Sequence, residues 1–528
     1  MKAFILVAAL ALIQSAGAAV FQYAMLAETR KGERMAFLWI PPRAESVDGI
    51  VIGGMTLMER EMAKDTRIRK ACAAENLAIV FLKCGLQAID LQVVLDGLAE
   101  KSGYAEIARA PLLFVGHSAD GPQAKERARE WSERCIGLVQ YRGADPGGDE
   151  PVPPGIPSLM MIGQFDEFGK IGRDANGIEN WEKDRDKMAA YRSANPRNLG
   201  SIVVEPGAGH FAWSARNAEY LALFIQKAAR TRIPNGWALG GERACRLKSL
   251  DPGDGWLTDL DIRSGSTHPS APYADYAGEK PKAAWHFDRQ MTDATVAYHN
   301  GIRRKDQFIV WKDPHRVNAG ARNFFTQVEW LGDGQSFAVH PAYADSYPRQ
   351  SGGRGSVWGD AGRPAARSSA PIRVKPVSGP IVLTGRHTLR IRFDALAPAT
   401  EKARVTFMAF SEGDDEFRYT ERVGMLDSEH TAIRDGRQQK ITFPPIGDLK
   451  AGGEIPLRAA SDSELPVEYY VAFGPGLIEG DRLRVSDLPA RAKFPISLKV
   501  VAYQCGRQVE PFVQAASPVE QTISIVQP

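Results

Sequence analysis

Between residues 48 and 229, continuous apolar runs of strand length alternate with longer amphipathic stretches, and few folds accommodate that pattern. Gly49 to Gly54, Leu77 to Cys84, 111 to 115, 135 to 141, 157 to 163 and 201 to 205 read as buried strands. Leu57 to Glu75, Asp90 to Lys101, 122 to 134, 178 to 193 and 215 to 229 read as helices. Strands apolar on both faces and separated by helices predict a mostly parallel sheet covered on each side, the α/β class. Such a sheet carries its reactive residues on loops at the carboxyl ends of its strands.

One strand end stands out. The run Pro111-Leu-Leu-Phe-Val-Gly116 leads into His117-Ser118-Ala119-Asp120-Gly121, and a helix-compatible stretch begins at once. A serine hydroxyl is a weak nucleophile unless it is lifted clear of its neighbours and set beside a base, which a sharp strand-to-helix turn achieves. Close approach of strand and helix demands small residues two positions before and two after the serine. Gly116 meets that demand, whereas Asp120 stands where glycine is usual. Aspartate tolerates unusual backbone angles better than most residues, and Gly121 follows to absorb strain.

A serine so placed needs a base and an acid to orient it. Pro157 to Gly163 runs into Gln164-Phe165-Asp166-Glu167, and Ser201 to Glu205 runs into Pro206-Gly-Ala-Gly209-His210. Asp166 and His210 therefore fall just past strand ends, in the order serine, aspartate, histidine along the chain. Glu167 is a rival acid displaced by one residue, and Asp174 a weaker one.

On Gly116-His-Ser118, Asp166 and Gly209-His210, the segment of about 48 to 229 resembles the α/β-hydrolases. The resemblance implies that Ser118 attacks a carbonyl carbon, with His210 as general base and then acid, and Asp166 orienting the imidazolium. It further implies an oxyanion hole made by the amide of Ala119 and a second amide after Gly53-Gly54, for which Met55 is the choice. Gly54, His117 and Trp213 are candidate substrate-binding residues. His117 reads equally as a structural residue, and Trp213 as a helix-packing one. The mechanism requires no metal and no organic cofactor. Trp285-His286-Phe287-Asp288 reads as a packed, hydrogen-bonded histidine opening a helix.

Beyond residue 235 the pattern changes. Residues 236–370 are rich in Gly, Pro, Trp and Asp, with one helix expected over Phe287 to His299. Six tryptophans from Trp237 to Trp358 argue for an extension packed on the preceding domain rather than a free connector. Ser351 to Ala370 reads as a linker. From Pro371 to residue 528 short strand signals recur, with clear period-two alternation at Val467, Tyr469, Val471 and Phe473. They predict one or two β-sandwich modules of immunoglobulin-like kind, split near 450. The stretch Gly143 to Ile156 is too short for a large helical lid, so any cover over the site would come from 236–370.

The amino terminus has the layout of a secretory signal: Met1-Lys2-Ala3, the apolar run Phe4 to Ile13, then small residues with cleavage expected after Ala18. That reading makes the protein secreted or periplasmic, with its catalytic domain over 19–235. No later run approaches the ~20 apolar residues of a membrane span. With 44% hydrophobic and 24% charged residues and a formal charge of +3, nothing marks the chain as a nucleic-acid binder. Five cysteines, without a CxxC pair or Cys/His ligand spacing, predict neither a disulfide framework nor a zinc site. The functional expectation is an exported carboxylesterase acting on an acylated polysaccharide or another ester. The C-terminal sandwich would be a spacer or a surface for polysaccharide or protein contact. A peptidase or amidase on the same triad, and a non-catalytic binding protein with this fold, are the alternatives.

Overall fold

The computed structural model describes residues 21–29, 32–54, 57–87, 89–166, 180–239, 244–260, 268–312, 317–318, 325–347 and 362–528. The expected signal peptide (1–18), Met55, Glu167, Asp174, Trp358 and residues 351–361 of the expected linker lie outside these residues.

The first domain is an eight-stranded sheet. Its strands are β1 (Tyr23–Ala27), β2 (Arg34–Trp39), β3 (Gly49–Gly54), β4 (Leu77–Leu82), β5 (Leu112–His117), β6 (Cys135–Tyr141), β7 (Ser158–Gly163) and β8 (Gly200–Glu205). They lie in the order 1-2-4-3-5-6-7-8, and β2 alone runs antiparallel to its neighbours. This mostly parallel order, with one antiparallel strand next to an edge, is the kind of sheet that the resemblance to the α/β-hydrolases implies. Every residue of β3 to β8 is buried, because alternate side chains enter two different cores. Ile50, Ile52, Val80, Leu82 and Phe114 face one core with α3 (Leu91–Ser102) and α4 (Gly121–Glu130). Val51, Ile79, Phe81, Leu113 and Val115 face the other with α2 (Thr66–Ala74) and α6 (Ala215–Arg232).

Two features differ from the sequence reading. Strands β1 and β2 precede the segment in which a sheet was expected. They form the antiparallel edge, and their mixture of apolar and charged residues gives a weaker signal than a fully buried strand. The single helix expected over 57–75 is two helices, α1 (Leu57–Lys64) and α2, broken where the Asp65 carboxylate accepts the Arg67 amide at 2.8 Å and so caps α2. Helix α5 (Asn180–Ala194) follows β7 as expected.

The expected helix near Phe287 is α7 (Arg289–His299), capped by Asp288 through the Met291 amide. The boundary expected at 370 is crossed by a sheet, since Ser336–Ala338 pairs with Thr388–Ile391. That four-stranded sheet and the three-stranded one of Arg373–Ser378, Val405–Ser411 and Thr420–Leu426 share one core, with Phe337, Leu389, Ile391, Val405 and Phe407 buried together. A second β-rich unit, built mainly from Glu468–Phe473, Ile496–Tyr503 and Val519–Val526, packs its core onto the first domain. The five cysteines are all free, and four are buried. Among the described residues no helix is long and apolar enough to cross a membrane.

Candidate active site

The carboxyl end of β5 turns sharply. Ser118 has a φ of +55°, in the left-handed region that non-glycine residues avoid, and a short 3-10 turn over Ser118–Asp120 leads directly into α4. Holding a non-glycine residue there costs on the order of 1–3 kcal/mol, which the packing around it must supply. A Cβ on Gly116 would lie 2.3 Å from the Asp120 carbonyl oxygen, and one on Gly143 would lie 2.5 Å from the Ser118 carbonyl oxygen. Glycines on β5 and after β6 thus let the turn close. Ser118 is half-buried and Ala119 is exposed, so the turn meets solvent at its tip.

The missing glycine two residues after Ser118 has a physical account. The Asp120 side chain is fully buried, with Oδ1 accepting the Leu86 amide at 3.3 Å and Oδ2 unpartnered. Alongside it, Gln123 Oε1 accepts the Gln87 amide at 2.9 Å, while Arg127 donates to the Leu86 and Ile89 carbonyls, each at 2.9 Å. Asp120 thus helps α4 hold the loop after β4. Close packing on the helix side falls instead to Gly121, whose added Cβ would meet the Gly143 carbonyl oxygen at 2.6 Å. Burial pushes the Asp120 carboxyl up to about 7, against the lowering effect of the Leu86 amide.

The structure brings together two of the other expected residues. His210 Nδ1 lies 2.8 Å from Asp166 Oδ2, with both side chains largely buried on the loops after β8 and β7. Two neighbours fix the histidine backbone. His117 Nε2 donates to the His210 carbonyl at 3.1 Å, with the two rings 4.8 Å apart. Burial, and then the nearby His210, hold His117 down at about 3, so it is neutral and its Nε2 carries the proton at this contact. The Tyr141 hydroxyl donates to the Ala212 carbonyl. His117 is thus a buried brace of the histidine loop.

The remaining candidates are placed as follows. Gly54 is buried at the end of β3, where a Cβ would lie 2.2 Å from the Leu82 carbonyl oxygen, so backbone packing accounts for its glycine. Trp213 is half-buried against the core, its ring 6.2 Å from that of Tyr141. His286 is buried, but neither ring nitrogen has a hydrogen-bond partner, which corrects the expectation of a hydrogen-bonded residue.

Sequence reasoning missed two sets of residues. The buried carboxylate of Glu59 on α1 accepts the His117 amide at 2.6 Å, one residue before the serine. A buried network also lies behind the histidine loop. Arg142 pairs with Glu205, and the Asn217 amide donates to Glu205 Oε2 at 2.8 Å and to the Tyr141 hydroxyl at 2.7 Å. An acid in the first turn after a Gly-Gly strand end, and a charged residue closing an apolar strand, were the available signals.

Two later parts of the chain reach this region among the described residues. The 236–370 segment does approach, with His299 Nε2 accepting the Val204 amide at 3.3 Å. However, the strand Thr420–Leu426 and its neighbours beyond 370 contact the histidine loop itself. Gly209 donates its amide to Glu421 at 2.8 Å, Lys375 donates to the Trp213 carbonyl, and Phe211 packs against Val377, Met408 and Val423.

No protein-family model matches the chain, and no curated protein is similar to it in sequence. Among solved structures, it is similar to a hyperthermophilic esterase from Pyrobaculum calidifontis at 12% identity, covering 39% of this chain and 85% of that one, with a TM-score of 0.28. It is similar to an S-formylglutathione hydrolase from Agrobacterium tumefaciens at 16% identity, over 39% and 93% of the two chains, with a TM-score of 0.28. An α/β serine hydrolase without a lid from Xanthomonas campestris shares 14% identity over 40% and 94%, with a TM-score of 0.26.

Proposed function

We propose that the protein is a serine hydrolase of carboxylic esters, exported as its amino-terminal pattern suggests. One observation carries the reading. A serine held in the left-handed region at a strand end shares its sheet edge with a histidine whose Nδ1 is 2.8 Å from an aspartate carboxylate. Strained backbone of this kind persists where the surroundings over-determine it, and it clusters at reactive centres.

In this reading His210 Nε2 accepts the Ser118 hydroxyl proton as Oγ attacks the ester carbonyl carbon. The resulting tetrahedral oxyanion is held by the Ala119 amide and, on sequence order, by that of Met55. His210 then returns the proton to the departing alkoxide, leaving an acyl-serine that water cleaves by the reverse sequence. Asp166 stays ionised throughout, fixing Nδ1–H toward itself so that Nε2 faces the serine. Each oxyanion donor is worth roughly 100- to 1,000-fold in rate. An acylated polysaccharide remains the proposed natural ester, on the combination of export and β-rich modules.

The test is hydrolysis of p-nitrophenyl butyrate, with the matching p-nitroanilide in parallel, by wild type and Ser118→Ala. The expected result is ester turnover that the substitution reduces by about 1,000-fold or more. Preferential anilide cleavage would make the protein an amidase, and equal rates for the two proteins would remove the catalytic role of Ser118.

A further inference from the structure

The histidine loop is held from both sides, and one side belongs to a different part of the chain. From the first domain come His117, Tyr141 and Gln164, whose Oε1 accepts the Gly207 amide at 2.9 Å. From the β-rich part come a carboxylate, an ammonium group and a backbone carbonyl. Glu421 Oε1 accepts the amide of Gly209, the residue directly before His210, and Glu421 Oε2 accepts the Tyr419 hydroxyl at 2.7 Å. Lys375 donates to the Trp213 carbonyl, three residues after His210. A Cβ on Gly207 would sit 1.7 Å from the Tyr419 carbonyl oxygen, so at this glycine the two surfaces touch backbone to backbone. The acid loop is gripped as well, with the Arg418 guanidinium carbon 4.9 Å from the centre of the Phe165 ring, next to Asp166.

We infer that Glu421 is a positioning residue for His210, so that the β-rich part completes the catalytic centre of the first domain rather than serving as an appended binding module. The inference rests on the serine-hydrolase reading. Its basis is a half-buried carboxylate lent by a strand more than two hundred residues further along the chain to a single backbone amide. An amide left without an acceptor there would cost the loop its register, and a shift of about 1 Å at a catalytic base can cost roughly 100-fold in rate. Burial, then the nearby Glu205, push the Glu421 carboxyl up to about 6. A carboxylate kept at that expense next to Glu205, with Lys375 and Tyr419 around it, has the mark of a group retained for its geometry. A tethering module would hold the first domain equally well through peripheral contacts alone. One such contact is made by Arg491, which donates to Glu106 Oε1 at 3.1 Å ahead of the start of β5, whereas Ser118 follows its end.

The full-length chain tests this with Glu421→Leu, Glu421→Gln and Arg491→Met. Two readouts apply: p-nitrophenyl butyrate kinetics, and the low-field proton resonance of His210 Nδ1–H, identified by its loss in Asp166→Ala. Glu421→Leu is expected to lower kcat by about tenfold or more with KM little changed, and to shift or broaden the resonance. Glu421→Gln keeps an acceptor for the Gly209 amide and is expected to restore both. Arg491→Met should lower thermal stability and leave both unchanged. An unaltered resonance in folded Glu421→Leu, equal losses in the leucine and glutamine variants, or the same loss in Arg491→Met would each overturn the inference. If wild type shows no Ser118-dependent hydrolysis, the hydrolase reading fails, while the resonance still reports whether Glu421 positions His210.

Discussion

The carboxylate of Glu59 accepts the backbone N–H of His117 at 2.6 Å, tying the helix after β3 to the residue that precedes Ser118. Both partners are fully enclosed, and a Cβ on Gly53 would lie 3.0 Å from the Glu59 side chain, so that glycine makes room for it. The contact joins the segment expected to supply the second oxyanion donor to the turn that presents the nucleophile. Glu59→Ala is therefore expected to leave a buried amide unpaired, at a cost of about 1–3 kcal/mol, and to lower kcat. Glu59→Gln retains an acceptor and should recover most of both. Thermal melts and p-nitrophenyl butyrate kinetics on the pair check this, and equal effects from the two substitutions would show that charge rather than the acceptor matters.

The positive φ of Ser118 predicts the order of stability of two inactive variants at that position. Ser118→Gly and Ser118→Ala both remove the hydroxyl, so both should be inactive. They differ in backbone freedom, since an alanine at +55° retains the steric penalty of about 1–2 kcal/mol that glycine escapes. Glycine is otherwise the less stable choice, by roughly 0.5–1 kcal/mol, because its unfolded chain has more freedom to lose. The glycine variant is expected to melt above the alanine variant. The reverse order would mean that the turn relaxes out of the left-handed region when the hydroxyl is lost.

What the sequence made legible follows from the strength of each physical signal. Strands β3 to β8 were readable because a sheet buried on both faces writes itself as unbroken apolar runs. The strand-end positions of Ser118, Asp166 and His210 followed because the topology fixes where strand ends gather. The edge strands β1 and β2 carry half that signal and were missed. Glu59, Glu421 and the Arg142–Glu205 pair were illegible for another reason. Each acts through a contact between residues distant in sequence, 58, 212 and 63 positions apart, and the local cues at Glu59 and Glu205 do not name the partner that such a carboxylate holds. The crossed boundary at 370 is a case of the same kind, since pairing of Phe337 with Leu389 is a register that neither strand announces.

Asp120 yields a prediction whose sign follows from its surroundings. Its folded carboxyl is pushed up to about 7 by burial, offset in part by the Leu86 amide, against an ordinary value of 3.8. Between those two values the folded state holds a proton that the unfolded chain has released, so this residue's contribution to stability falls as pH rises from about 4 to about 7. Above that window Asp120 carries a buried charge with one oxygen unpartnered, and the folded state bears the full penalty. Asp120→Asn removes the titration and keeps an acceptor for the Leu86 amide. The variant is therefore expected to match wild type near pH 4 and to exceed it by a few kcal/mol at pH 8, measured by urea unfolding across that range. Asp120→Gly, which restores the small residue usual at this position, loses the clamp on the Leu86 loop but also the buried charge. Its activity on p-nitrophenyl butyrate is expected to stay intact or rise, since the closing of the turn rests on Gly116, Gly121 and Gly143. A collapse of activity in Asp120→Gly with the fold retained would show that the carboxylate acts in the chemistry, and a parallel pH dependence in Asp120→Asn would show that the residue does not titrate in this window.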